Sequence, residues 1–302
     1  MCYTEAMNKT FSLKSFLEKY SNDEACLEEI FKIKYPKGAF CLKCNIISKF
    51  YKVTKRPVYQ CVCGFNISPL AGTIFEKTTT PLQYWFYAMF LVSNTRSGVS
   101  AKTLQREIGV TYKTAWRMFR QIRILMAESG GGLLEGVVEV DETFVGGKAK
   151  NRKNEWRQGV EEKQKEILRG MVERGGKVYM KHIPNTGKWT LINQIKENIS
   201  PDARIMTDEY MAYKKLPEYG YQHDFVTHSH NEYARGQIHT QNIENVWSHL
   251  KRGITGVYRI VSAKYLQSYA DEFAFRYNHR KNQAQMFEIL FDQIASTRAL
   301  KT

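Results

Sequence analysis

Val137-Val138-Glu139-Val140-Asp141-Glu142-Thr143-Phe144-Val145-Gly146-Gly147 is the stretch on which the reading of this chain turns. Five of its first nine residues are β-branched and a glycine pair closes it, which predicts a buried strand. Asp141 and Glu142 stand in its middle. A buried carboxylate is costly unless a base or a metal ion compensates its charge. Neighbours on a strand face opposite ways, so the two acids cannot share one site, and one of them needs partners from elsewhere in the chain. The alternative is an edge strand with both acids in water.

Immediately upstream, Ser129-Gly130-Gly131-Gly132 reads as a flexible joint and a domain boundary. Before it, Ser100 to Ile122 predicts a helix, a turn at Gly109 and a second helix. Ser100 and Thr111 act as caps, and Leu104, Ile108, Ala115, Met118, Phe119 and Ile122 face inward. The outward residues Tyr112, Lys113, Arg117, Arg120 and Gln121 suit a recognition helix in a DNA major groove, against an ordinary helical hairpin with a solvated basic face. A further apolar helix opens at Pro81. Earlier still, Cys41-Leu42-Lys43-Cys44 and Cys61-Val62-Cys63-Gly64 form two cysteine pairs with strand-like sequence between them. They resemble a four-thiolate zinc ribbon holding one structural Zn²⁺, although the second pair is C-x-C rather than C-x-x-C; four reduced thiols are the alternative. Phe11 to Tyr35 predicts two short helices, the second capped by Asp23.

Downstream of the opening strand, Lys148, Lys150, Arg152 and Lys153 lie in a basic loop suited to phosphate contact. Residues 167–172 and 177–183, joined by Arg174-Gly175-Gly176, read as a β-hairpin. A helix over 190–199 and a strand over 203–208 follow, and that strand ends at Asp208. Ile243, Val246, Trp247 and Leu250 mark a helix that carries Glu244. Residues from Lys264 to about Arg298 predict a pair of amphipathic helices. The expected domains are N-terminal helices over 1–35, a zinc ribbon over 36–80, a helix-turn-helix region over 81–129, a catalytic domain over 133–262 and C-terminal helices over 263–302.

The chain has 302 residues and a net charge of +15, which predicts a polyanionic partner, nucleic acid above all. Six cysteines, four of them clustered, point to metal in a reducing compartment rather than a disulfide scaffold. The sequence has neither an apolar run near the ~20 residues of a membrane span nor a signal-peptide layout at Met1 to Thr10, so a soluble intracellular protein is expected.

Asp141 within a strand, Asp208 at a strand end and Glu244 on a helix supply the carboxylates that two divalent cations need for phosphoryl transfer. Lys251 lies two helical turns beyond Glu244, on its face, where it can hold a phosphate. Glu232 is a weaker third acid, without the helix or the lysine. Glu142 and Glu209 should point away from the site. His228, His230 and His239 are read as phosphate or backbone contacts rather than a zinc site, and Trp247 as core.

At these residues the chain resembles insertion-sequence transposases of the IS1595 group, which carry an ISXO2-like DDE domain and are related to eukaryotic Merlin elements. The resemblance rests on the ribbon, Gly72-Thr73-Ile74-Phe75, the helix-turn-helix, the run 140–147, Thr207-Asp208-Glu209-Tyr210 and the run 239–258. It implies an α/β, ribonuclease-H-like catalytic domain, a mixed sheet flanked by helices with the triad at its centre. Motif matching puts the catalytic acids on Asp141, Asp208 and Glu244 and the following lysine on Lys251, with Arg252 among the expected DNA contacts. The C-x-C pair is the main departure. The implied activity is cut-and-paste transposition with two Mg²⁺ (or Mn²⁺) per site. The partners are double-stranded DNA, both inverted repeats and target, and the protein would be at least a homodimer. It would work in the cytoplasm at the nucleoid of a bacterial host. A DNA-binding regulator without catalysis and a ribonuclease-H-like nuclease are the competing expectations.

Overall fold

The structure, a computed structural model, describes residues 11–127, 132–146, 165–227 and 234–296. The chain divides into two units: Met1–Met126 together with His279–Thr302, and Ala127–Asn278.

The first unit opens with α1 (Leu13–Lys19) and α2 (Asp23–Lys34). The cap of α2 is Asn22, one residue before the expected Asp23. Asn22 has the extended backbone that a cap requires, and its side chain accepts from the Ala25 N–H. Asp23 is the first helical residue, and its Oδ1 accepts from the Gln83 N–H at 3.0 Å. Two small antiparallel sheets follow, one of β1 (Ala39–Cys41) and β2 (Ile46–Ser48), the other of β3 (Phe50–Lys52), β4 (Tyr59–Cys61) and β5 (Asn66–Ile67). Next come α3 (Leu82–Asn94), α4 (Ala101–Ile108) and α5 (Tyr112–Met126). Ser100 and Thr111 cap α4 and α5 as the sequence predicts, through Thr103 N and Thr114 N. Gly109 ends α4 in the left-handed region, at φ 68°.

The second unit is built on β6 (Val137–Val145), β7 (Glu166–Glu173), β8 (Val178–Ile183), α6 (Lys188–Asn198), β9 (Arg204–Thr207), a 3₁₀ stretch over Met211–Tyr219 and β10 (Gln222–Phe225). A short hairpin of β11 (Ala234–Arg235) and β12 (Ile238–His239) leads into α7 (Gln241–Gly253) and then α8 (Ala263–Asn278). The five long strands form one mixed sheet in the order β10-β9-β6-β7-β8. β6, β7 and β8 are antiparallel neighbours, while β9 runs parallel to β6 and β10 parallel to β9.

Strand alternation sorts this sheet into two covered faces. Val138, Val140 and Met171 pack with Leu191, Ile195, Tyr213 and Leu216 from α6 and the 3₁₀ stretch. Leu168, Val172, Val178 and Met180 pack on the other face with Ile243, Val246, Trp247 and Leu250 of α7 and Leu266, Ala270 and Phe273 of α8. The last helix, α9 (Met286–Ser296), returns to the first unit. Its Phe287 stacks on Phe11 with ring centroids 5.0 Å apart, and Phe291 meets Phe86 edge-on at 4.6 Å. The two C-terminal helices, a pair in sequence, therefore serve different cores.

The approach of α7 to the sheet depends on Gly170, the cross-strand partner of Asp141. A Cβ there would stand 2.6 Å from both Ile243 Cδ1 and the Trp247 ring. Gly170→Ala should therefore cost about 1–3 kcal/mol of stability, as overpacking does. The measurement is the urea midpoint, and an unchanged midpoint would mean that α7 is free to move outward.

Candidate active site and metal centre

Asp141 and Glu142 face opposite sides of the sheet, as strand geometry requires. On the α7 side, the Trp247 indole N–H donates to Asp141 Oδ2 at 2.9 Å. On the other side, the Tyr213 hydroxyl donates to Glu142 Oε1, and the fully buried Arg169 brings its Nε to 3.7 Å from the same oxygen. Glu142 is thus hydrogen-bonded away from Asp141.

The parallel pairing of β6 with β9 ends at Glu139–Met206. Carrying that register two residues further would put Asp208 level with Asp141, beyond the end of the β6–β9 pairing, while β6 remains paired with β7. Asp208 lies just past β9, with its Oδ1 accepting from the Tyr210 N–H at 3.0 Å. Glu244 is in the first turn of α7 and exposed, and its Oε1 accepts from the Thr240 hydroxyl at 3.0 Å. Lys251 and Arg252 are exposed in the last turn of the same helix.

Burial pushes the Asp141 carboxyl up to about 6. The Glu142 backbone N–H and the Trp247 indole oppose this, whereas the negative charges of Asp208 and Glu244 add to it. Three carboxylates within electrostatic reach of one another, one of them reluctant to ionise, form an oxygen donor set that a hard divalent cation would relieve. They do not draw into one tight ligand cluster. Among the described residues, only the four cysteines lie that close together.

Two residues at the site escaped the sequence reading. Trp247 is core, as expected, but its indole also holds Asp141; its place three residues after Glu244, on one helical face, was the available signal. Nothing in the sequence singles out Glu139. It shares Asp141's face of β6 and is completely buried. Its carboxylate accepts from Asn242 N at 2.8 Å, Ile243 N at 3.1 Å, Asn242 Nδ2 at 2.8 Å and Arg174 Nε at 2.8 Å. His239 Nδ1 lies 3.2 Å from Oε1 without forming a hydrogen bond. The period-2 spacing from Asp141 was the only hint of this.

In the first unit, the Sγ atoms of Cys41, Cys44, Cys61 and Cys63 all lie within 4.8 Å of one another, with Cys41–Cys63 at 3.4 Å and Cys44–Cys61 at 3.9 Å. Four thiolates ~2.3 Å from a tetrahedral ion would stand just under ~4 Å apart, so this group could hold one zinc ion. The short C-x-C pair does not prevent this. Its Cys63 thiol is lowered to about 7, chiefly by a hydrogen bond from the backbone of Phe65, and bonds with the neighbouring thiols raise Cys44 to about 12.

On α5, Tyr112 and Lys113 are exposed at the start, while Arg117 and Arg120 are half-buried. Gln121 departs from its expected outward position: it is 2% exposed. It lies three residues after Met118 and four before Leu125, both buried, and α3 and α9 pack on α5 as well as α4. Lys148, Lys150, Arg152 and Lys153 lie outside the described residues, as do His228, His230, Glu232 and most of the glycine joint. Among the described residues, no helix is long and apolar enough to cross a membrane.

Asp141 gives a pH-dependent prediction. Its carboxyl ionises near 3.8 in an unfolded chain and near 6 when folded. The folded state therefore binds the proton more tightly, and stability falls as pH rises from about 4 to about 6, then levels off. At 1.36 kcal/mol per pH unit, metal-free Asp141→Asn should be more stable than wild type at pH 7 by up to about 3 kcal/mol. The advantage should vanish below about pH 4. Chemical unfolding in EDTA at both pH values tests this, and a less stable variant at pH 7 would contradict it.

Residues 133–278 match the family model described as the ISXO2-like transposase domain. The match agrees with the IS1595-group resemblance and ends where the second unit ends, so it includes α8. Over 271 residues the chain is 28% identical to an "uncharacterized protein in transposable element ISH50" of Halobacterium salinarum, covering 81% of this chain and 87% of the relative. It is also 27% identical over 110 residues to an "uncharacterized transposase-like protein" of Haemophilus influenzae, covering 36% of this chain and 88% of that one.

Proposed function

From the ISXO2-like transposase domain carried by residues 133–278, we propose that this chain is the transposase of an insertion sequence, which cleaves DNA at the element's ends and joins the freed 3′-OH to target DNA. What supports this reading is that the Asp208 and Glu244 charges both act on the Asp141 carboxyl, with Glu244 carried by the helix packed on Asp141's face. An antiparallel β6-β7-β8 meander followed by the parallel β9 and β10 supports a ribonuclease-H-like fold.

Asp141, Asp208 and Glu244 would hold divalent ions, Mg²⁺ or Mn²⁺. When bound, such ions stabilise charge on the attacking and leaving oxygens of an in-line phosphoryl transfer. The chain's own residues do the positioning. Trp247 fixes the Asp141 carboxylate, Thr240 steadies Glu244, and Lys251, exposed on the same helix, neutralises a phosphate of the bound strand.

The first unit is assigned to DNA binding. α4 and α5 form a helix-turn-helix with Tyr112 and Lys113 at the exposed N-terminal end of the second helix, the end that meets base edges in such motifs. The zinc ribbon adds a second contact. The charge of +15 supplies the non-specific attraction to phosphate. Holding two element ends together calls for at least two copies of the chain.

Asp208→Asn and Glu244→Gln should reduce Mg²⁺-dependent cleavage and strand transfer together to background, since one site performs both, while gel-shift binding to the inverted repeats persists. Cys41→Ser with Cys44→Ser should remove bound zinc and weaken the gel shift. A wild-type protein that binds the repeats but never cuts would instead be a regulator. Cleavage of RNA or hybrids without strand transfer would make it a nuclease.

A further inference from the structure

We propose that Glu139 is a positioning residue that sets Glu244 relative to Asp141, with Arg174 as its counter-ion. The proposal rests on the transposase reading only for the reaction that it serves. Glu139 is two residues before Asp141 on one face of β6, so a single strand carries both a candidate metal ligand and the group that anchors the helix bearing another.

That helix lacks a cap of its own. The side chain of Thr240, at the N-cap of α7, makes no capping bond and donates to Glu244 instead. The amides that a cap would satisfy, those of Asn242 and Ile243, donate to Glu139 from across 103 and 104 residues of sequence. The next residue is Glu244. A carboxylate at a helix N-terminus also meets the favourable end of the helix dipole.

Arg174 completes the anchor from the other side. Its Nε donates to Glu139, its Nη1 to the Gln237 carbonyl at 2.7 Å, its Nη2 to the His239 carbonyl at 3.0 Å and its backbone N–H to the Val137 carbonyl at 2.9 Å. It therefore ties together the start of β6, the end of β7 and the strand that leads into α7. Glu139 is wholly buried, so its charge has no bulk solvent to fall back on. Loss of that charge leaves the first turn of α7 to find its own place, and Glu244 moves with it.

The test is Glu139→Gln, whose amide nitrogen cannot accept from Arg174 or from the α7 amides. The concentration of Mn²⁺ that gives half-maximal cleavage should rise at least tenfold, with a lower kcat and unchanged affinity for inverted-repeat DNA. Hydrogen exchange at residues 242–244 should quicken, while β7 and β8 keep their protection. Arg174→Lys retains the charge but loses the fork. It should shift the Mn²⁺ dependence at least threefold in the same direction, and it decides the matter if Glu139→Gln does not fold. A lower melting temperature with wild-type Mn²⁺ dependence would overturn the proposal, since Glu139 would then serve stability alone. Should the wild-type protein cut no DNA, the transposase reading fails separately. Mn²⁺ affinity measured by electron paramagnetic resonance, together with the exchange data, would still decide the role of Glu139.

Discussion

The second unit depends on one buried carboxylate. Glu139 has no access to water, and an unpaired charge in that position would be prohibitive. Its two oxygens are supplied with donors from two places far apart in sequence, Arg174 and the adjacent pair Asn242 and Ile243. Each donor presupposes another part of the fold. Arg174 must follow β7 at the turn, the β11–β12 hairpin must present the Gln237 and His239 carbonyls to the same guanidinium, and α7 must come close enough for its first amides to reach β6. Gly170 makes that last approach possible because any side chain there would occupy the place of Ile243 and Trp247.

The sheet then separates two kinds of charge. On the α7 face, Asp141 sits among other acids. On the opposite face, Glu142 sits in a closed group with Tyr213 and Arg169, and burial raises its carboxyl to about 7 against the pull of that arginine and tyrosine. Arg169 also donates to the Leu191 carbonyl on α6. Adjacent residues of one strand thus face opposite ways: Asp141 meets Trp247 on the α7 side, and Glu142 fastens the layer behind it. The Tyr213 bond joins β6 to the 3₁₀ stretch that follows Asp208, so the closed face also limits how far Asp208 can stray.

Local pattern made much of this legible. The hairpin of β7 and β8, the helix over 241–253, the caps at Ser100 and Thr111, the left-handed Gly109 and the gathering of four cysteines all follow from spacing and residue type. What escaped was non-local. Gln121 looks outward on a helical wheel drawn for two helices, yet α5 also packs against α3 and against α9, more than 160 residues later. Asp23 and Asn22 are both good caps by type, and only the backbone turn and the demand from Gln83 separate them. Glu139 carries no mark of its own in a strand that already holds two acids, since its partners lie 35 and 103 residues away. The two C-terminal helices share one periodicity, yet one packs on β8 and the other joins the aromatic core of the first unit, a choice that amphipathicity does not encode.

That last division bears on how the chain is made. α9 supplies Phe287 and Phe291 to the core that α1, α2 and α3 begin, so the ribosome must pass the whole second unit before the first can close. At ~5–20 residues per second, the ~170 residues between the ends of α5 and α9 take roughly 10–30 s to synthesise. For that interval the first unit stays unfinished while the second is being made, with Tyr20, Phe86 and Phe90 lacking the rings that α9 brings. A message cut short within α9 would yield the second unit without a closed first unit to accompany it.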